Sequence, residues 1–287
     1  MTEIIFDKSF LDGASHQLVY DICAAHKVMY SESLIFELIT TDKKSQVRCF
    51  SKFPNTQYSF ALLPNIGTLL RFEVENCTPC IPLFERRIQG SYIFNPELKA
   101  GTYFPQGEVA NILKIWCNQV NENTKSFLQR CQVVYQFFPE LIGIKYQSLA
   151  LAISIARMNI ATDSDLVRRI YSSILKEIPL PNALEPKSLN EQWAWFRWVQ
   201  CQLLAALRIF QRYQYEVLDN PSAKIFRRAE HSMHDIDYII LGALAGTLAT
   251  NDKEIIEDFK LIRSNGVIIT SLNNPYNSTT TGWKPVG

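Results

Sequence analysis

The stretch Ile4-Ile5-Phe6-Asp7-Lys8-Ser9 is an apolar run closed by an acid, and Thr247-Leu248-Ala249-Thr250-Asn251-Asp252 repeats that arrangement near the other end of the chain. Short apolar runs bounded by polar turn residues read as buried strands. An acid just past a strand stands at the rim of its sheet, and in an open parallel sheet the carboxyl-end rim is where ligands bind. Acids from distant parts of the sequence can therefore meet there on one divalent cation.

Working outward from the first run, a helix is expected from about Ser15 to Ala25, then a second strand over Lys27 to Tyr30. Ser31 or Ser33 can cap the next helix, which carries Leu34, Ile35 and Leu38 on its apolar side and Glu37 one turn in. Glu32 is the alternative acid there. Working back from the second run, Asp235 and Asp237 share a helical segment, and positions two apart diverge by about 200° around a helix, so only one can face a given point. The distance to Gly246 and Asp252 favours Asp235, with Asp237 as the alternative. Lys253 and Glu254 open a helix through Ile262, and Asn265-Gly266 ends it before a last strand, Val267 to Thr270.

These segments resemble, in order and placement, the motifs of the PIN-domain family of metal-dependent nucleases. Asp7-Lys8-Ser9 corresponds to the family's opening Asp-x-Asn/Ser, Ser31 to Glu37 to its Ser-led helix bearing a glutamate, and Thr250-Asn251-Asp252 to its Thr-x-Asp ending. The resemblance covers the two ends of the chain and leaves the long middle unaccounted for. It implies an α/β fold with a parallel sheet flanked by helices, built discontinuously from residues 1–100 and 230–275 around a mostly helical insertion at 105–229, with a tail at 276–287. It further implies Mg²⁺ or Mn²⁺ held by Asp7, Glu37, Asp235 and Asp252, directly or through waters, with Ser9 and Thr250 orienting these acids. The implied activity is phosphodiester hydrolysis leaving a 5′-phosphate and a 3′-hydroxyl, with RNA as the leading substrate and a bacterial type of ribonuclease as the leading analogue. A DNA nuclease and a catalytically silent scaffold for protein association are the alternatives.

Composition bounds these readings. The chain has 287 residues, 20% charged and 47% hydrophobic, a globular balance with material for one large domain or two smaller ones. Its formal net charge of +1 supplies no overall attraction for nucleic acid, so such binding needs a local basic patch. Lys224, Arg227 and Arg228, shortly before Asp235, are the first candidates for phosphate contacts, followed by Arg71, Arg86 and Arg87. Surface ion pairs with Glu73, Glu75 and Glu85 are the plainer expectation for the latter three, and a solvated helix face for the former.

The remaining chemistry-bearing residues point elsewhere. Seven scattered cysteines suit reduced thiols, and the absence of a secretory pattern makes cytoplasmic location the default expectation. Cys77-Thr78-Pro79-Cys80 lacks a second pair or nearby histidine to complete a zinc site and reads as a turn. His231 and His234 flank the acidic segment, but the resemblance assigns the ligands to acids and leaves the histidines outer or structural roles. Between residues 105 and 230 a helical pattern dominates, and Trp193 to Leu218 is its most apolar part. Arg197, Arg208 and Arg212 interrupt it too often for a membrane span, so it is expected as a central buried helix or one that forms a homo-oligomer or protein-partner contact.

Overall fold

The computed structural model describes residues 2–80, 88–138, 141, 146–177, 183–218 and 221–272. Its frame is a six-stranded sheet of order β4-β3-β2-β1-β5-β6, made of β1 (Glu3–Phe6), β2 (Lys27–Ser31), β3 (Tyr58–Leu63), β4 (Ile88–Tyr92), β5 (Thr247–Ala249) and β6 (Val267–Ile269). All neighbours pair in parallel except β3 and β4. The sheet is therefore mostly parallel, and the expectation of a parallel sheet is corrected at this one antiparallel edge.

Strand order fixes the place of the site. The chain first builds outward from β1 through β2 and β3 to β4, then returns to the other side of β1 with β5 and β6. The carboxyl ends of β1 and β5 thus form a topological switch point, where diverging connections leave a crevice. Register aligns them: Ile5 pairs with Leu248 and Phe6 with Ala249, and the Asp7 N–H donates to the Ala249 carbonyl at 3.0 Å.

Local sequence starts the helices at that rim. Asp7 caps α1 (Lys8–Gly13), Ser15 caps α2 (His16–Ala25), and Ser31 caps α3 (Glu32–Thr40) by accepting from Leu34 N at 3.0 Å. Asp42 and Asn65 do the same for α4 (Lys43–Phe50) and α5 (Ile66–Asn76). The segment Leu69 to Val74 lies in α5. Aromatic side chains supply much of the core: Phe50, Phe53 and Phe94 pack with Phe6 and Tyr30, and the Tyr30 and Tyr58 hydroxyls meet at 2.7 Å. Cys77 ends α5 in a left-handed turn and Cys80 is buried just beyond.

After α6 (Pro96–Ala100), the middle of the chain is helical, with α7 (Gly107–Val133), α8 (Tyr146–Thr162), α9 (Ser164–Glu177) and α10 (Ala194–Leu218). The central helix, α10, buries Phe196, Leu204, Leu207 and Ile209. Glu73 of α5, fully buried, anchors its start by accepting from the N–H groups of Ala194 (2.6 Å), Trp195 (2.9 Å) and Cys80 (3.0 Å). A surface ion pair between Glu73 and Arg71 is thereby corrected: the carboxylate is spent inside, on backbone donors that would otherwise stay unpaired. Then α11 (Ala223–Ala245) runs unbroken from the helical middle into the sheet, packing on β1, β5, α7 and α10, before α12 (Lys253–Ile262). Helix α11 spans the expected boundary at 229 and 230. Residues 276–287, with Arg86 and Arg87, lie outside the described residues.

Two glycines hold α11 against the sheet. Gly246 ends it at φ +84°, and a Cβ on Gly242 would stand 3.0 Å from Leu248 Cβ and 3.2 Å from the Phe259 ring. No helix of the described residues is long and apolar enough to cross a membrane.

Candidate functional site

At the switch point Asp7 is buried and tightly held. Its Oδ1 accepts from Ser9 N at 3.1 Å, and its Oδ2 accepts from the hydroxyls of Ser9 and, at 2.6 Å, Thr250. Ser9 Oγ in turn accepts from the N–H groups of Asn251 (3.0 Å) and Asp252 (3.1 Å), so the turn after β1 and the turn after β5 are bonded together. Asp252 caps α12 through Oδ1, which accepts from Glu254 N (2.7 Å) and Ile255 N (3.2 Å). Among the described residues no donor reaches its Oδ2.

Asp7, Glu37, Asp235 and Asp252 line one cavity of about 250 Å³, together with Lys8, Asp12, Arg228 and His231. Glu37 enters from α3 and accepts a hydrogen bond from the Tyr238 hydroxyl of α11. Asp235 enters from α11, partly buried, and has no hydrogen-bond or ion-pair partner among the described residues. Asp237 points away: it accepts from the Ser33 hydroxyl and lines a separate, larger cavity. The angular argument from sequence thus separates the two aspartates, and the geometry selects Asp235 for the rim.

Crowding is visible in the carboxyl groups. Burial pushes Asp7 up to about 6, with Glu37 adding to the shift while the Ser9 and Thr250 hydrogen bonds oppose it. Asp235 is raised well above the carboxylate range, first by burial and then by the charges of Asp7, Asp252 and Glu37, which Arg228 only partly offsets. Burial likewise raises Glu37, against the Tyr238 bond and the charges of Lys8 and His231. Asp12 differs, because although burial would raise it, hydrogen bonds from Arg48 and Cys49 and the charge of Lys8 hold it below its ordinary value. Like charges enclosed together favour protonation unless a cation joins them.

The basic residues divide. Arg228 lines the acid cavity and bonds Glu254, which also binds Arg208 at 3.1 Å and Arg212, both on α10. The helical middle therefore reaches the rim through this network. Arg227 and Lys224 are exposed and outside the lining of the acid cavity, and Arg71 lines the larger cavity instead. Their residue types suited phosphate, but only the fold decides which face of α11 or α5 they occupy.

Sequence reasoning missed Lys8, Asp12 and Tyr238. A signal existed for the first two: Lys8 and Asp12 are four apart on the short helix capped by Asp7, and pair at 3.2 Å. Tyr238 lies three residues after Asp235, one helical turn on. His231, four residues before Asp235, lines the cavity as well. His234 is buried against Phe36 on the other side, and burial lowers its pKa to about 4.

Among the described residues, no three His, Cys, Asp or Glu side chains stand close enough together to hold a metal ion directly. No protein-family model matches the chain, and neither a curated protein nor a solved structure matches it.

Proposed function

We propose that this chain is a PIN-like, Mg²⁺- or Mn²⁺-dependent nuclease, most readily a ribonuclease, acting at the cavity between β1, β5, α3 and α11. The observation that carries the reading is the meeting of Asp7, Glu37, Asp235 and Asp252 on one cavity at a sheet's switch point, with Asp235 left unpartnered. Carboxylates gathered at a cost in repulsion are the donor set a hard divalent cation requires. Ligation shared with waters is the form this reading takes, since no three such side chains among the described residues stand close enough to hold the ion directly.

In this reading Asp7 is the principal ligand, with Glu37, Asp235 and Asp252 completing the set. Ser9 and Thr250 orient Asp7, and Tyr238 orients Glu37. Lys8 and Arg228 place positive charge where a phosphodiester would lie. A bound cation would supply Lewis acidity for activating water and offsetting phosphoryl charge. Arg208 and Arg212 hold Glu254, next but one to Asp252, and so tie the helical middle to the site.

The silent-scaffold reading draws on the absence, among the described residues, of three ready metal donors. Cleavage assays separate the two. Labelled single-stranded RNA, single-stranded DNA and duplexes are incubated with wild type and Asp7→Asn in Mg²⁺, Mn²⁺ or EDTA. Cation-dependent cleavage lost in Asp7→Asn supports the nuclease, and the substrate cut assigns RNA or DNA. Cleavage persisting in EDTA overturns the metal mechanism, and no cleavage of any substrate favours the scaffold.

A further inference from the structure

The larger cavity, about 700 Å³, lies on the opposite side of α3 and α11 from the acid site. Adjacent residues divide between them: Glu37 faces the acids while Phe36 faces the larger cavity, and Asp235 faces the acids while His234 and Asp237 face the larger one. The two spaces are therefore separate, and occupancy of this one does not depend on the nuclease reading. Its volume is within the range of small-molecule sites, about 300–1,000 Å³.

Its walls combine two chemistries. Trp116, Trp198 and Phe36 supply aromatic surface, with the Phe36 and Trp116 rings 6.1 Å apart. Arg130 lies with its guanidinium 5.8 Å from the Trp198 ring centre and donates to Gln202 at 3.2 Å, but it has no carboxylate partner among the described residues. Arg71 is exposed at the same cavity and has no hydrogen-bond or ion-pair partner among them. Two acids, Glu32 and Asp237, share the lining; neutral donors hold them, Asn65 at 2.9 Å and Ser33, and neither pairs with Arg71 or Arg130. Two guanidiniums without ion-pair partners disfavour an apolar ligand, and three aromatic rings are more than an inorganic anion needs.

We propose that this cavity binds a nucleoside phosphate, its base stacked on Trp116 or Trp198 and its phosphate held by Arg71 and Arg130. Planar guanidiniums pair two phosphate oxygens at once, and tryptophan stacks on any base. The same chemistry is offered by a free mononucleotide and by one residue of a single strand.

The test uses the full chain in EDTA, so that cleavage plays no part. Calorimetry and tryptophan quenching follow titration with AMP, adenosine, inorganic phosphate and a single-stranded RNA oligonucleotide. Saturable binding is expected, weakened about tenfold or more in Arg71→Glu, in Trp116→Leu and when adenosine replaces AMP, and unchanged in Asp7→Asn. Arg71→Glu alters an exposed, unpartnered side chain, so it reads binding even if Trp116→Leu fails to fold. RNA binding far more tightly than AMP, with both lost in Arg71→Glu, assigns a strand residue, and comparable affinities assign a free nucleotide. The proposal is overturned if neither AMP nor RNA binds at millimolar concentration, if Arg71→Glu binds as wild type does, or if Asp7→Asn abolishes binding.

Discussion

Replacing Asp7 with asparagine should stabilise the cation-free protein, and the gain should depend on pH. The carboxyl is raised from 3.8 to about 6 on folding, chiefly by burial. Below pH 3.8 both folded and unfolded chains carry the proton, and the residue costs nothing. As pH rises from 3.8 to 6 the unfolded chain ionises first, so stability falls, and above 6 the loss is complete. At about 1.4 kcal/mol per pH unit, the full cost is about 3 kcal/mol. Asparagine keeps the size and one acceptor oxygen while removing the charge, and because its amide nitrogen cannot accept from the Ser9 N–H, a lost hydrogen bond takes back part of the gain. For a chain of this length about 3 kcal/mol corresponds to about 5 °C in Tm. Thermal unfolding in EDTA at pH 7.5 should therefore show Asp7→Asn melting higher by up to that amount, with the gain shrinking to about 1 kcal/mol at pH 4.5. Saturating Mn²⁺, at a hundredfold over Kd, should nearly cancel the difference by adding about 2.7 kcal/mol to wild type alone. A variant that melts lower at pH 7.5, or gains equally at both pH values, would refute the argument that enclosed negative charge is a cost.

Glu73→Ala should destabilise the chain by about 3 kcal/mol or more in urea unfolding, because three buried N–H groups lose their acceptor, whereas Glu73→Gln should cost less by keeping one carbonyl. Gly242→Val should cost about 1–3 kcal/mol by forcing a side chain against Leu248 and Phe259, read as an earlier urea midpoint at unchanged slope. Arg227→Glu should leave stability within about 0.5 kcal/mol, since the residue is exposed. If nucleic acid approaches along α11 past His231, one turn on, the same change should reduce the salt dependence of RNA binding by about one unit of log–log slope.

The ends of the chain were legible because their physics is local. A run such as Ile4 to Phe6 can hardly be other than a buried strand, Ser31 satisfies helix N–H groups in any context, and two helical positions two apart must diverge whatever surrounds them. The placement of Arg71 and Arg227 was not legible, because an arginine's type says it can bind phosphate but not which cavity its helix faces. Glu73 was hidden for the same reason: its partners, Ala194 and Trp195, lie more than a hundred residues away and exist as donors only once α10 begins there. The antiparallel β4 escaped because its sequence, Ile-Gln-Gly-Ser-Tyr, has little of the apolar density that marks β1 or β5. The larger cavity is assembled from five helices, and no single segment announces it.

The central claim, that acids from four segments form one cation site, is tested most directly by Mn²⁺ binding, measured by electron paramagnetic resonance on wild type, Asp235→Asn and Asp237→Asn. These aspartates share a helix and differ by two positions, but only Asp235 lines the cavity with Asp7, Glu37 and Asp252. Saturable binding in wild type that is lost or greatly weakened in Asp235→Asn and retained in Asp237→Asn is the predicted result. Binding undiminished in Asp235→Asn, or lost equally in Asp237→Asn, would contradict it.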